Sequence, residues 1–304
     1  MSKKILFFGN EKLATGVTTK SKTFRGLIDA GYEIKALIIA QKLDKNSDQL
    51  EIVKIAKQNN IEIKSYPNLK QATEEIASFN VDAAVLAAYG KMVPKEIIDI
   101  FKIGIINIHP SLLPKHRGST PIESTIIDGD TEAGVSIMKL SVDMDSGPVY
   151  KQTSIKLTGN ETKQELCDKL DELGKDLLLS CLEDILTGKL EPSSQPKDGV
   201  TYDKLVSKED GIIDWHSSWK QIDGKIRAYS GWPKAHFNLS GMDITLLKAH
   251  LDNQNGEPGQ AISQGSSLAV YCSDGLVVVD SLIPAGSKPM SGKDFLLGYG
   301  SKIL

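Results

Sequence analysis

Short apolar runs alternate with stretches of helical spacing through the first third of the chain, and that order leaves few folds open. The apolar runs predict strands at 4–9, 33–39, 61–63, 81–87 and 104–108. The stretches between them predict helices over 19–30, 48–59, 69–78 and 94–101, the second turning Leu50, Ile52, Val53 and Ala56 inward. A nearly continuous apolar strand such as 81–87 is buried on both faces. Strand, helix, strand in this order predicts an α/β fold, a doubly wound and mostly parallel sheet covered by helices on both sides. Sites in such sheets gather at the carboxyl ends of the strands. Two further strands, 134–140 and 149–155, and a long helix over 161–187 stopped by Gly188 complete this part. The stretch 190–199 is polar and rich in Pro, Ser and Gly, a linker composition. Beyond it, short apolar runs at 244–247, 260–262, 268–272 and 275–279 alternate with glycine turns and predict a smaller all-β barrel or sandwich. The expected organisation is an α/β domain at 1–189, a linker at 190–206 and a β-barrel domain at 207–304.

The net charge of -3 and a pI near 6.0 give no global attraction to polyanions. Residues 205–304 carry nine Lys plus Arg against ten Asp plus Glu, so a nucleic-acid surface has to be a local patch. Lys225, Arg227, Lys234 and Lys248, with Tyr229 and Trp232 among them, are the candidates, since cations neutralise phosphates and aromatic rings stack bases. Cys167, Cys181 and Cys272 form no C-x-x-C pair and have no histidine at zinc-ligand spacing, which predicts free thiols and no metal. The apolar run 5–9 is too short for a signal peptide or a membrane span, so a cytoplasmic protein with no membrane partner is expected.

The densest chemistry lies between Asn107 and Gly129. Asn107 and His109 are two apart at a strand end, so both side chains point the same way, and Pro110 stops the strand. Thr120-Pro121-Ile122-Glu123 reads as a helix start beside Arg117 and Gly118, either an anion seat or an arginine paired with a carboxylate. Asp143 and Asp145 lie in a turn sequence, and Asp145 is a candidate partner for the histidine. Tyr89-Gly90-Lys91-Met92-Val93-Pro94 follows a strand and suits a flat heterocycle held by backbone groups. The loop from Gly9 to Gly16 is not G-x-G-x-x-G, which disfavours a nicotinamide-nucleotide enzyme.

Taken together these segments resemble the folate-dependent formyltransferase family. Asn107-x-His109-Pro-Ser-Leu-Leu-Pro114, Arg117-Gly118, the run from Gly134 to Met138 and Asp145-Ser-Gly147 match its signature in order and spacing. The resemblance implies a Rossmann-like catalytic domain with an OB-like C-terminal barrel, and 10-formyltetrahydrofolate as the formyl donor. It implies Asn107, His109 and Asp145 as catalytic residues, Leu86, Tyr89, Gly90, Met92, Ser111, Leu112, Leu113 and Pro114 as folate contacts, and Arg117 and Gly118 as substrate contacts. Tyr202-Asp203-Lys204-Leu205, Ile213-Asp214-Trp215, Ile226-Arg227-Ala228-Tyr229, Trp232-Pro233 and the segment from Pro284 to Gly292 resemble the C-terminal domain of members that act in translation initiation. For those members the acceptor amine belongs to initiator methionyl-tRNA, and a monomer is expected. A formyltransferase for an amino-sugar nucleotide would share the same three residues, and a purine-precursor type would lack the tail.

Overall fold

The computed structural model describes residues 3–17 and 19–303. Two compact units emerge. The first takes in the chain up to Ile122 together with Thr131–Thr158 and Gln164–Leu205. The second takes in Glu123–Asp130, Gly159–Lys163 and the chain from Val206 onward.

In chain order the first unit contains strands β1 (Lys4–Gly9), β2 (Glu33–Ile39), β3 (Glu62–Ser65), β4 (Ala83–Ala87), β5 (Gly104–His109), β6 (Arg117–Gly118), β7 (Glu132–Lys139), β8 (Val149–Lys156) and β9 (Tyr202–Asp203). Its helices include α1 (Lys22–Asp29), α2 (Glu51–Gln58), α3 (Thr73–Ser78) and α4 (Lys95–Ile98). Helix α5 (Pro121–Ile127) starts in this unit, and α6 (Lys163–Leu186) lies almost wholly within it. Seven strands form one sheet in the order β3-β2-β1-β4-β5-β7-β8. The first five run parallel, and β7 and β8 add on antiparallel. The order turns around between β1 and β4, where β2 and β3 build one way and β5 the other. β6 and β9 pair separately as a short parallel ribbon.

Both faces of the central strands are buried, which is why those strands read as nearly unbroken apolar runs. Phe8, Leu6, Ile38, Ala84 and Ile105 pack on one side with Ile76, Ile97 and Phe101, and Phe8 meets Tyr89 edge-on at 5.5 Å between ring centres. Phe7 faces away from them and packs against Phe24 of α1 at 4.9 Å. Burying one such side chain contributes about 1.5–3 kcal/mol.

Local differences from expectation have local causes. α1 begins at Lys22 rather than Thr19 because Ser21 takes a left-handed φ of 48°. The helix expected over 69–78 opens as a tight 3-10 turn capped by the Asn68 side chain. The helix expected over 94–101 is a single turn, after which tight backbone bonds from Ile100 and Phe101 to Ile97 and Ile98 bring Phe101 into the core.

The second unit has α7 (Trp219–Ala228), β10 (His236–Leu239), β11 (Met242–Asp252), β12 (Ala261–Gln264), β13 (Ser267–Cys272), β14 (Gly275–Pro284), β15 (Met290–Ser291) and α8 (Gly292–Ile303). Its strands are antiparallel in the order β10-β11-β14-β13-β12, with β15 on β14. Register shifts around Lys248 bend β11, the device a half-barrel needs to curve. A capping box between Ser218 and Gln221 starts α7. Lys163 is fully buried here, 3.6 Å from Glu123 and donating to the Trp232 carbonyl at 2.9 Å. A buried ammonium is tolerable only with such partners.

Candidate active site

β5 supplies the first two groups. It is buried on both faces, flanked by β4 and β7, and places Asn107 opposite Leu86 and Met138 and His109 opposite Ser136. Asn107 is 6% exposed, and among the described residues its side chain has no hydrogen-bond partner. An amide at a strand end whose donors are uncommitted, and which is not among the side-chain atoms closed off from solvent, can be reached by a bound molecule.

His109 is held from one side only. Its Nε2 lies 2.8 Å from the His116 carbonyl oxygen, and a carbonyl only accepts, so Nε2 is the donor. Its Nδ1 faces Asp145 Oδ1 at 3.8 Å, beyond direct hydrogen-bond reach. The His116 carbonyl, not Asp145, is the direct hydrogen-bond partner of the imidazole. Asp145 is anchored independently, with Oδ2 accepting from the Gly118 N–H at 2.9 Å. One carboxylate oxygen is thus fixed and the other opposes the ring nitrogen across a gap.

The loop after His109 is pinned by polar groups inside β7 and β8. Ser136 Oγ donates to the Ser111 carbonyl at 2.6 Å and accepts from the Leu113 N–H at 3.1 Å. Gln152 Nε2 donates both to Ser136 Oγ at 2.7 Å and to the Leu113 carbonyl at 2.8 Å. His116 is buried with a left-handed φ of 58°, and its Nδ1 is 3.1 Å from Asp203 Oδ1. Gln152, His116 and Gln195 are not among the residues that sequence points to, and Ser136 and Asp203 enter only within longer matching segments, with no role of their own. The available signal was a polar residue inside an otherwise apolar strand, as at Ser136.

Of the eight expected folate contacts, the structure separates two groups. Met92, exposed, Gly90, with its exposed backbone at φ 77°, and half-buried Leu112 and Pro114 are open to a ligand, while Leu86 borders them at 9% exposure. Tyr89 instead belongs to the core, and burial pushes its phenol up to about 12. Leu113 is likewise buried, and Ser111 Oγ donates to the Lys115 carbonyl. Arg117 departs from the anion-seat reading as well. It is buried, donates from Nε and Nη2 to Gln195 Oε1 at 3.1 and 2.7 Å, and donates from Nη1 to Tyr202 Oη at 2.9 Å.

The basic patch expected on the second unit is partly internal. Lys225 donates to the Ile212 carbonyl and burial lowers its pKa, Arg227 pairs with Asp223 at 2.7 Å, and Tyr229 is buried. Lys234, Lys248 and Trp232 remain exposed.

A pocket sits where the strand order turns around, lined among others by Asn10, Ser21, Phe24, Ala88, Pro110 and Asp171. Asp171 Oδ2 and Ser21 Oγ are buried there without partners. Burial raises the Asp171 carboxyl from 3.8 to about 6, against an opposing hydrogen bond from the Lys22 backbone. The folded protein therefore binds this proton more tightly than the unfolded chain, and stability falls as pH rises from about 4 to 6. Asp171→Asn should abolish that slope and add up to about 3 kcal/mol at pH 7.5, measured by chemical unfolding at both ends of the window. An unchanged slope would show that Asp171 does not titrate there.

Comparison with known proteins adds to this geometry. The formyl transferase family matches residues 18–182, and the formyl transferase C-terminal domain matches residues 205–300. The chain is 35% identical to a methionyl-tRNA formyltransferase of Fusobacterium nucleatum, across 99% of this chain and 98% of that one. It is 32% identical to a protein of the same name from Streptococcus agalactiae, across 99% and 97%. Among solved structures, an N-formyltransferase from Helicobacter canadensis, in complex with folinic acid and dTDP-3-aminofucose, shares the fold at a TM-score of 0.69 with 17% identity, covering 95% of this chain and 100% of that one. HypX from Aquifex aeolicus in complex with tetrahydrofolic acid shares it at 0.63 with 18% identity, covering 88% and 48%.

Proposed function

This chain belongs to the formyl transferase family, and we propose that it carries a formyl group from 10-formyltetrahydrofolate to the free amine of initiator methionyl-tRNA, with Asn107, His109 and Asp145 as catalytic residues. The observation that carries the chemistry is the uncommitted Asn107 amide on the same strand as an imidazole that faces a half-anchored carboxylate. The acceptor is argued from relatives named for it that align over nearly the whole of both chains.

The donor supplies an electrophilic formyl carbon on a nitrogen that can leave. Asn107 donates an N–H to the formyl oxygen as negative charge builds on it, an interaction worth about 2.7–4 kcal/mol when preorganised. The acceptor nitrogen gains a bond to carbon and must lose a proton, and the folate nitrogen loses that bond and must gain one. Asp145 Oδ1 and His109 Nδ1, facing each other at 3.8 Å, form the relay between them. His109 Nε2 stays outside the relay because it donates to the His116 carbonyl. Positioned proton transfer of this kind contributes about 10²–10⁴ in rate. The backbone at Gly90 and the side chains of Met92, Leu112 and Pro114 are the surfaces left open for the flat ring of the donor.

A formylation assay tests the reading with a panel of acceptors: initiator methionyl-tRNA, the same tRNA uncharged, free methionine and a dTDP-linked amino sugar. The charged tRNA should be formylated at least about 10²-fold faster than any other acceptor. Preferential formylation of the amino sugar would transfer the same chemistry to a different acceptor and overturn the tRNA assignment.

A further inference from the structure

Asp145 is a non-glycine residue held at a φ of 46°. A left-handed conformation costs a residue with a Cβ up to about 1–2 kcal/mol, least for Asp and Asn, so the hydrogen bonds around this turn decide how firmly it is held. The neighbours here are specific. Gln195 Nε2 donates at 2.7 Å to the Asp145 carbonyl and at 2.7 Å to the Gly147 carbonyl, bracketing the turn from both ends. The orientation of that amide is not free. Its Oε1 accepts from Nε and Nη2 of Arg117, and a guanidinium only donates, so the NH2 side must point at the two carbonyls. Arg117 is fixed in turn by Tyr202, whose hydroxyl accepts from Nη1 and whose ring lies 5.5 Å from the guanidinium carbon. The next residue, Gly118, reaches the Asp145 carboxylate directly through its backbone N–H.

We infer that Gln195 and Arg117 are positioning residues: a clamp that imposes the backbone conformation of Asp145 and so sets where its uncommitted Oδ1 stands relative to His109. The inference rests on reading Asp145 as a member of the proton relay. It assigns Arg117 to the protein's own loop rather than to an anionic substrate group, and it gives the polar stretch after α6 a part in the site.

The decisive variant is Gln195→Glu. A carboxylate at this position still accepts from Arg117, more strongly than an amide does, but it offers acceptors to two carbonyl acceptors. A Gln195 that served only as the acceptor for Arg117 would be replaced well by glutamate. A positioning Gln195 would not, and Gln195→Glu should lower kcat per folded molecule about 10²-fold, the scale on which a displacement of about 1 Å can act, with KM for both substrates nearly unchanged. Gln195→Ala should lower kcat comparably. A second measurement holds even where a variant is unstable. In an Asp145→Asn background, Gln195→Ala should produce no further loss in residual rate per folded molecule, because both changes act through one group. Wild-type kcat in Gln195→Glu, or losses that multiply in the double variant, would overturn the clamp. Asp145→Asn with wild-type activity would instead overturn the relay beneath it, so the two failures are distinguishable.

Discussion

Replacing Asn107 by alanine should lower the formylation rate about 10²–10³-fold and leave the unfolding transition within a few degrees of wild type. The rate loss follows from removing one preorganised donor at the oxygen where charge develops. The small stability effect follows from an observation about the folded protein. The Asn107 side chain makes no hydrogen bond among the described residues, so its deletion orphans no partner. Most buried polar deletions behave in the opposite way, costing stability first. Asn107→Asp is the sharper control, since it keeps the volume and substitutes an acceptor for the donor. It should be no more active than alanine. Single-turnover formylation of methionyl-tRNA, alongside thermal unfolding of each variant, checks both halves of the expectation. Near-normal turnover in either variant would remove Asn107 from the mechanism.

A single methyl group at Gly147 should be nearly as damaging, by a different route. A Cβ there would lie 2.0 Å from the Lys139 carbonyl oxygen and 3.1 Å from the Met138 side chain. A flexible side chain can move aside, but the carbonyl belongs to a backbone tied in place by the bond from the Lys139 N–H to the Pro148 carbonyl. The turn carrying Asp145 must therefore shift as a whole, and the Gly147 carbonyl leaves its donor at Gln195 Nε2. Gly147→Ala should lose about 1–3 kcal/mol of stability and at least about 10²-fold in kcat. Gly188→Ala is the matched comparison. Its φ is 72° and a Cβ there meets nothing within 4 Å, so it should cost only about 1–2 kcal/mol of backbone strain and leave turnover alone. Equal kinetic losses in the two variants would mean that the Gly147 effect is generic destabilisation.

The parts of this protein that sequence reveals are those with a local signature. The parallel sheet is legible because strands buried on both faces must be apolar along their whole length, as β4 is from Ala83 to Ala87. Asn107 and His109 are legible because a two-residue period and a following proline fix their common direction. Tyr89 is misplaced by the same logic, since a glycine loop announces a ligand but says nothing about which way the preceding side chain turns. It turns inward to meet Phe8. Arg117 beside a helix start looks like an anion seat until its partners are known, and those partners, Gln195 and Tyr202, stand 78 and 85 positions away. Gln195 itself sits in a stretch whose composition is that of a linker. Hydrogen bonds across such separations leave no periodicity and no motif.

That distance has a consequence for how the enzyme comes into being. The ribbon of β6 and β9 joins Arg117–Gly118 to Tyr202–Asp203, and the bracket on Asp145 comes from Gln195. A nascent chain that has emerged as far as β8 already owns every strand of the large sheet, its amide, its imidazole and the Gly118 N–H that holds the Asp145 carboxylate, yet lacks the bracket that Gln195 puts on the Asp145 backbone. The backbone of Asp145 is thus the last part of this unit to be tied down, by a segment that follows every strand of the large sheet in the chain.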